Sequence, residues 1–211
     1  MNSFNTGFSE NQLAAYHQGV ARYRYKGIPC LKSPIDIAIY LQLLFKAQPS
    51  TIFEIGSAFG GSALLLRDFS IANGSDAKVV SIDIKDRNLE DLEGIRFLQG
   101  DVFDLENTFA SHELFCSPRP WLVIEDSAHT LQSTIAALDF FSRHLESGEY
   151  LIIEDGVLED LGWSEKYDGG PNRAIKEFLQ TNPNDFEIDR SYCDMFGQNM
   201  TYNPNGYLRK C

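Results

Sequence analysis

Acidic residues follow five segments of the sequence that are predicted to be buried strands. They are Glu54, Asp83, Asp101, Asp126 and the pair Glu154-Asp155. A single acid after a strand would mean little, because aspartate is common in turns. Acids after five successive strands are harder to attribute to turns, and ligands of open α/β sheets bind at the carboxyl ends of the strands. The pattern therefore predicts a ligand site along one edge of a sheet.

Three of these acids, Asp126, Glu154 and Asp155, favour a metal site. If the fourth and fifth strands are neighbours, the three carboxylates converge, and no lysine or arginine adjoins them in the sequence. Crowded carboxylates resist ionisation unless a cation lies among them, and all-oxygen ligation suits Mg²⁺ or another hard divalent cation. A set of solvated strand ends is the alternative.

His129 lies three residues after Asp126, in the first turn of the next predicted helix. Its near-neutral pKa suits a general base that takes a proton from a hydroxyl, so His129 and Asp126 are the predicted catalytic residues. A structural histidine held by a neighbouring carboxylate is the alternative. The other histidines are expected at the surface or in packing contacts: His17, His112 and His144.

A glycine-rich turn joins the predicted strand Thr51–Ile55 to a helix that begins near Ser62. Main-chain N–H groups and the helix dipole favour an anionic group there, and glycines allow a ligand close to the main chain. No lysine precedes Ser62, which disfavours a P-loop, and the second glycine of the dinucleotide fingerprint is absent. The remaining pattern, Glu54-x-Gly56-x-x-x-Gly60, resembles the first motif of Rossmann-like S-adenosylmethionine (SAM) methyltransferases. An ordinary strand-to-helix turn is the alternative.

Two acids further along the chain would bind the adenosine part of such a cofactor. Asp83 ends the second strand, where a carboxylate accepts both ribose hydroxyls, a role that suits NAD equally well. Asp101 ends the third strand, where a carboxylate accepts the exocyclic amine of adenine; a helix N-cap is the alternative. The complete predicted cofactor-binding set is Glu54, Gly56, Ser57, Gly60, Ser62, Asp83, Asp101 and Val102.

The elements that position these residues alternate between strands and helices. Strands are predicted at 51–55, 78–84, 95–100, 121–125 and 150–153, with closing antiparallel strands at 186–192 and 206–209. Helices are predicted at 12–25, from residue 34 to residue 44 or 45, at 131–145 and at 171–179. Ser33 and Asp36 would form a capping box, with Pro34 at the first helical position. The alternation implies a parallel sheet with helices on both sides.

Residues 156–172 form a long connection after the last ligand-bearing strand. A loop of this length is more often a lid or a substrate loop than an idle connection. Trp163 and Tyr167 are therefore expected to stack on a sugar face or, alternatively, to pack the loop down.

The composition indicates one domain. The 211 residues, 43% of them hydrophobic, are expected to form a single unit over 1–211, with a helical segment at 1–48, a core at 49–211 and a loose stretch at 1–10. The net charge of −12 argues against a nucleic-acid partner, and no apolar run is long enough for membrane insertion. The four cysteines lack a C-x-x-C spacing and are expected to be free thiols of a cytoplasmic protein.

Five motifs follow one another from about residue 25 to the C-terminus. They are Glu54-Ile-Gly-Ser-Ala-Phe-Gly-Gly-Ser, Ile124-Glu-Asp-Ser-Ala-His129, Ile153-Glu-Asp-Gly156, Gly170-Pro-Asn and Asn203-Pro-Asn-Gly-Tyr-Leu-Arg209. Together they resemble the cephalosporin hydroxylase / rhamnosyl O-methyltransferase family. The resemblance implies a SAM methyltransferase fold and a homo-oligomer. Through the related macrolide sugar methyltransferases, it also implies Mg²⁺ held by Asp126, Glu154 and Asp155, with His129 as the base.

The expected fold is α/β, a Rossmann-like class I methyltransferase. It has a seven-stranded, mostly parallel sheet, helices on both faces and a C-terminal antiparallel hairpin. The expected reaction is SAM- and Mg²⁺-dependent O-methylation of a hydroxyl on a rhamnose-like deoxysugar in a glycoconjugate or natural product. Two alternatives stay open: a metal-dependent hydroxylase or hydrolase, which would not need Asp83 and Asp101, and a non-catalytic SAM-binding protein.

Overall fold

A seven-stranded sheet runs through the protein, whose computed structural model describes residues 4–211. The helices are α1 Glu10–Val20, α2 Pro34–Ala47, α3 Gly61–Ala72, α4 Leu105–Ser111, α5 Leu131–His144, α6 Gly170–Thr181 and α7 Arg190–Cys193. The strands are β1 Arg24–Tyr25, β2 Ile28–Pro29, β3 Thr51–Ile55, β4 Lys78–Asp83, β5 Ile95–Gln99, β6 Trp121–Glu125, β7 Tyr150–Ile153, β8 Phe186–Ile188 and β9 Tyr207–Lys210. Strands β1 and β2 form a separate two-stranded sheet.

The order of strands in the main sheet is β5-β4-β3-β6-β7-β9-β8. Neighbouring strands from β5 to β7 are parallel, whereas β9 is antiparallel to both β7 and β8. The chain builds one side of the sheet from β3 to β5 and then returns to place β6 beside β3. The strand order therefore reverses between β3 and β6, which is where ligands of open α/β sheets bind. The predicted fold class is confirmed, including the closing antiparallel strands.

Strand β3 is buried along its whole length because both faces of the sheet are covered. Phe53 faces a cluster that includes Trp121 and Phe141, with further members from α4 and α6. Ile52 points the other way, into a cluster with Leu43 of α2 and further members from α3. Strand β3 therefore carries apolar side chains on both faces, and its acid, Glu54, lies next to its carboxyl end.

The first helix is shorter than predicted. It ends at Val20 rather than at residue 25, and Lys26 and Gly27 then take left-handed backbone angles (φ 48° and 85°) and reverse the chain. Arg24–Tyr25 then pairs with Ile28–Pro29 as a two-stranded sheet. The stretch that alternates basic and aromatic residues is thus a tight turn, and the prediction of a continuous helix through it was wrong.

Two other segments differ from the sequence-based expectation. The strand predicted at 186–192 ends at Ile188, because the Asp189 carboxylate accepts a hydrogen bond from Ser191 N (2.9 Å) and starts α7. The loose stretch expected at 1–10 lies partly outside the described residues, which begin at residue 4. Within the described part, two hydrogen bonds anchor this stretch. Thr6 N donates to Asp160 Oδ2 (3.1 Å), and Gly7 N donates to the carbonyl oxygen of Asn199 (3.2 Å).

Candidate active site

Helix α2 and the residue Lys32 just before its cap lie beside Glu154, at the carboxyl end of β7. Its predicted cap is confirmed, since Ser33 Oγ accepts a hydrogen bond from Asp36 N (3.2 Å) and Pro34 occupies the first turn. The reciprocal half of the predicted capping box is wrong. The Asp36 carboxylate instead accepts hydrogen bonds from Tyr202 N (2.8 Å) and Tyr207 Oη (2.7 Å), which ties α2 to the chain before β9.

The glycines after β3 have different structural roles. Gly56 has φ 115°, and a Cβ there would lie 2.0 Å from the carbonyl oxygen of Asp126, so only glycine allows the loops after β3 and β6 to approach. Gly60 is the N-cap of α3. A Cβ at Gly61 would lie 2.3 Å from the carbonyl oxygen of Pro29, so this glycine accommodates β2 rather than a ligand.

Glu54 is fully buried at the start of the glycine turn. Ser81 Oγ donates to its Oε2 atom (2.5 Å) and also contacts Ser57 Oγ (2.7 Å), whereas Glu54 Oε1 has no hydrogen-bond partner among the described residues. Burial raises the pKa of Glu54, although the charge of Lys32 opposes the shift. A buried carboxylate oxygen without a partner fits a ligand that brings its own donor, such as the amino group of an amino acid. Ser62 is also buried, in the first turn of α3.

Asp83 is buried at the end of β4, as predicted for a ribose-binding acid. Its carboxylate accepts hydrogen bonds from Ala58 N (3.0 Å) and Lys85 N (2.9 Å), and Arg87 Nε lies 3.0 Å from Oδ2. Beside it is a cavity of about 260 Å³, which Ser57 and Asp83 help to line. The site has the acid and the space that an adenosine would need.

Asp101 follows β5 and caps a short 3₁₀ turn, because its Oδ1 atom accepts a hydrogen bond from Phe103 N (3.0 Å). The structure therefore shows the alternative role considered for Asp101, and its partly exposed carboxylate keeps a second oxygen for a ligand. Val102 belongs to the hydrophobic core. Ile84 and Phe103, which were not predicted, are 59% and 62% exposed beside the two acids. These two exposed apolar residues could have been found from the sequence, because each follows one of the strand-end acids within two residues.

Asp126, His129 and Asp155 come together at the ends of β6 and β7. One donor atom from each residue lies within 4.8 Å of the others. His129 Nε2 is 3.3 Å from Asp155 Oδ2 and 3.8 Å from Asp126 Oδ1. His129 and Asp155 both have left-handed backbone angles (φ 56° and 60°), which are uncommon outside glycine and are typical of functional sites.

Glu154 lies next to this group, but its carboxylate is held by other residues. Lys32 Nζ donates to Glu154 Oε2 (2.6 Å) and to Asp126 Oδ2 (2.5 Å), and Tyr40 Oη donates to Glu154 Oε1. Burial and the charge of Asp126 raise the pKa of Glu154 to about 7. No lysine adjoins these acids in the sequence, but the fold brings Lys32 into contact with two of them. Lys32 was missed because an isolated lysine before a helix cap carries no recognisable motif.

The electrostatics around His129 follow from its carboxylate neighbours. Burial alone would lower the pKa of His129, but the charges of Asp155 and Asp126 outweigh it and raise the pKa above 6.5. The Nδ1 atom of His129 is buried without a hydrogen-bond partner among the described residues. The rings of Tyr167 and His129 pack edge to face, with their centroids 6.0 Å apart. His129 is thus placed by its backbone and its acidic neighbours.

The predicted lid, residues 156–172, contains two short 3₁₀ turns, Gly156–Leu158 and Glu165–Tyr167. Trp163 packs edge-on against His17 of α1, with ring centroids 4.9 Å apart, which is the packing alternative rather than an open stacking surface. A cavity of about 940 Å³ borders this loop between the N-terminal residues and α6, and none of the predicted site residues lines it.

The donor set of this site fits a divalent cation. The carboxylates of Asp126 and Asp155 lie close together, and a positive ion between them would relieve their mutual repulsion. The fit extends to the cofactor, because the glycine turn, the unpartnered Glu54 oxygen and Asp83 lie along the neighbouring strand ends. The fold and the site together define the class of Rossmann-like, SAM-dependent methyltransferases.

Comparison with known proteins narrows this class to one family. The sequence model described as Rhamnosyl O-methyltransferase/CmcI matches residues 17–211. A rhamnosyl O-methyltransferase of Mycobacterium leprae is 30% identical over 192 residues, covering 87% of this chain and 81% of its own. A solved structure of CmcI with Mg and SAM is similar, with a TM-score of 0.73 at 28% identity, covering 90% of this chain and 77% of its own. The chain belongs to the rhamnosyl O-methyltransferase/CmcI family and is a SAM-dependent O-methyltransferase.

A more distant structure shares the fold alone. MycE, a methyltransferase of mycinamycin biosynthesis solved with Mg, SAH and mycinamycin VI, is 18% identical with a TM-score of 0.53. The match covers 73% of this chain and 45% of MycE. The likeness supports the strand order described above and carries no information about the acceptor of this protein.

Proposed function

We propose that this protein transfers the methyl group of SAM to a hydroxyl of a rhamnose-like deoxysugar, in a reaction that requires Mg²⁺ or a similar divalent cation. The single observation that carries the proposal is the convergence of Asp126, His129 and Asp155 beside the glycine turn, at the point where the strand order reverses. Membership of the family supports the sugar acceptor, since relatives in it are rhamnosyl O-methyltransferases.

The residues after β3, β4 and β5 form the proposed cofactor site. The unpartnered oxygen of Glu54 accepts from the amino group of SAM, and Asp83 accepts from the ribose hydroxyls. The free oxygen of Asp101 accepts from the adenine amine, while Ile84 and Phe103 offer apolar faces to the ring. When bound, SAM would supply a methyl group on a positively charged sulfur.

The proposed metal ligands remain Asp126, Glu154 and Asp155. A bound cation would hold neighbouring acceptor oxygens and lower the pKa of the hydroxyl to be methylated. His129 removes the proton from that hydroxyl, and Asp155, 3.3 Å away, stabilises the imidazolium that results. The backbone angles of His129 and Asp155 keep both groups in place before the acceptor arrives.

The acceptor would lie against the loop of residues 156–172. Tyr167 is the aromatic side chain of this loop next to His129, so it offers a face to the sugar, while Trp163 secures the loop to α1. An acidic protein with a net charge of −12 is poorly suited to a nucleic-acid substrate, so the proposed partner is a small glycosylated molecule.

A cytoplasmic homo-oligomer is part of the same proposal. No helix in the described part of the chain is long and apolar enough to cross a membrane. All four cysteines are free thiols, which is usual in a reducing compartment. Light scattering of the purified protein tests the assembly: a mass of two or more chains is expected, and a mass of about 24 kDa would show a monomer.

Methyl transfer from labelled SAM to a panel of rhamnosides tests the function. We expect labelled methyl ether on at least one rhamnoside, lost on chelation with EDTA and restored by Mg²⁺. Glycosides without a deoxysugar serve as the control acceptors, which should not be methylated. Transfer that is unaffected by EDTA would contradict the metal role, and hydrolysis or hydroxylation without methylation would favour the metal-dependent hydroxylase or hydrolase.

A further inference from the structure

Lys32 is a buried ammonium group among the acids proposed to bind the metal. Its side chain is 3% exposed, and its Nζ atom contacts Asp126 Oδ2 at 2.5 Å and Glu154 Oε2 at 2.6 Å. These are two of the three proposed ligands. A positive charge therefore already lies where the metal site requires negative charge.

The main chain around Lys32 fixes this arrangement. The following residue, Ser33, caps α2, and Cys30 N donates to the carbonyl oxygen of Tyr23 (3.0 Å) in the small sheet. Tyr40, two turns along α2, holds the other oxygen of Glu154. The ammonium group is thus placed by secondary structure on both sides rather than by a flexible surface chain.

We propose that Lys32 is a built-in cation that competes with the divalent metal ion for Asp126 and Glu154, and so sets how tightly the ion binds. The inference rests on the proposed function in taking these acids as the metal site. The metal ion and the ammonium repel each other and need the same carboxylate oxygens, so each weakens the hold of the other. Asp155 lies 3.3 Å from His129 and is 21% exposed, so its carboxylate is not one of the two that Lys32 holds.

The opposite role is a lysine that merely supports the ligands. In that case Lys32 would orient Asp126 and Glu154 for the metal, and its removal would weaken metal binding. Competition predicts the reverse sign, because removal of Lys32 frees two carboxylates and takes away a positive charge. The two roles are therefore separated by the direction of a single change.

Titration with Mn²⁺, followed by the electron paramagnetic resonance signal of the free ion, measures this direction. Lys32→Met is expected to bind Mn²⁺ about tenfold or more tightly than the wild type. Without metal the same variant should have a lower melting temperature, since two buried carboxylates lose their partner, and Mn²⁺ should raise that temperature more than in the wild type. Affinity that falls, or that stays within about threefold, overturns the proposal.

Two further variants make the test decisive. Lys32→Gln keeps hydrogen-bond donors without the charge, so it decides by the same criterion if Lys32→Met does not fold. Adding Glu154→Gln to either variant should bring Mn²⁺ affinity back to within about threefold of the wild type, and a gain that persists overturns the role of Glu154.

Lys78→Met is the matched control. It makes the same change of charge at an exposed lysine that pairs with Asp76 (2.8 Å) at the opposite end of the sheet, and it should leave Mn²⁺ affinity unchanged. Methyl transfer is assayed separately. If the wild type transfers methyl groups but the Lys32 variants do not bind Mn²⁺ more tightly, only this inference is overturned. If the Lys32 variants bind Mn²⁺ more tightly but the wild type transfers no methyl group, only the proposed function is overturned.

Discussion

At the residue scale, the acids at the strand ends lie in two different kinds of environment. Glu54 and Asp83 accept hydrogen bonds from serine hydroxyls or main-chain N–H groups, as a cofactor site requires. Asp126 and Asp155 face a histidine across 3 to 4 Å, and their side chains are 20% and 21% exposed, so a metal ion could reach them. The same residue type at the same place in successive strands therefore serves two purposes, and the difference lies in which donors surround each carboxylate.

Asp126→Asn tests the metal side of this division. The amide keeps the shape of the side chain but removes the charge that a cation needs, so methyl transfer should fall on the order of a thousandfold. The measurement is the rate of labelled methyl transfer at saturating SAM, with and without added Mg²⁺. Asp139→Asn, an exposed residue of α5, is a control that should retain the wild-type rate. Full activity of the Asp126 variant would contradict the proposed site.

Asp101→Asn separates the two roles of Asp101. Asparagine caps a helical turn as well as aspartate does, so the melting temperature should stay unchanged. The loss of the charged acceptor should raise the dissociation constant of SAM by about tenfold. Asp101→Ala, which removes the cap as well, should lower both stability and affinity. An asparagine variant with unaltered SAM binding would show that Asp101 is a cap only.

The sequence predicted these acids but not their partners. Strand-end acids are visible because the surrounding strands are apolar and each acid interrupts the pattern. Lys32 lies about 94 and 122 residues before its partners, so no local pattern connects them. The left-handed backbone at His129 and Asp155 was likewise unpredictable, because it depends on the contacts of the folded loops.

At the element scale, α2 connects the N-terminal segment to the metal side of the site and to the chain before β9. Lys32 before it and Tyr40 within it reach Glu154, and Asp36 binds the chain that leads into β9. The helix itself was predicted from Ser33 as its cap and Pro34 at its first position. Its part in the site was not, because the polar residues on its inner face resemble ordinary capping residues until the neighbouring strands are in place.

Gly56→Ala tests the close approach of the loops after β3 and β6. The new Cβ would lie 2.0 Å from the Asp126 carbonyl oxygen in a left-handed backbone, so we expect a loss of about 3 kcal/mol in the free energy of unfolding. Urea denaturation measures this loss. Gly74→Ala also has a left-handed backbone (φ 76°) but no atom within 4 Å of the new Cβ, so it isolates the conformational cost and should lose less. Equal losses would contradict the clash.

His17 predicts a pH dependence of the contact between α1 and the lid. Burial lowers the pKa of His17 below 6.5, so the folded protein prefers the neutral ring and the unfolded chain takes up the proton first. Stability from this ring is therefore complete above about pH 6.5 and is lost as the pH falls. The melting temperature of the wild type should fall more between about pH 7 and pH 5 than that of His17→Gln. Parallel curves for the two proteins would rule out this linkage.

At the scale of the whole molecule, the strand order matters more than any single motif. The first parallel strands lie on one side of β3 and the later ones on the other, so the cofactor acids and the metal acids meet at the reversal between β3 and β6. The alternation of strands and helices predicted a parallel sheet with helices on both sides, whereas the seven-stranded methyltransferase fold was implied by the family resemblance. The errors were confined to places where a short turn or a cap decided the outcome, such as the end of α1 and the end of β8.

The most direct test of the account is SAM binding, measured by isothermal titration calorimetry with the wild type, Asp83→Asn and Asp126→Asn. The account predicts that Asp83→Asn weakens SAM binding by about tenfold or more, because the ribose acceptor loses its charge. It predicts that Asp126→Asn stays within about threefold of the wild type, since that acid belongs to the metal side. Absence of SAM binding by the wild type, or an equal loss in both variants, would contradict the division of the sheet edge into a cofactor half and a metal half.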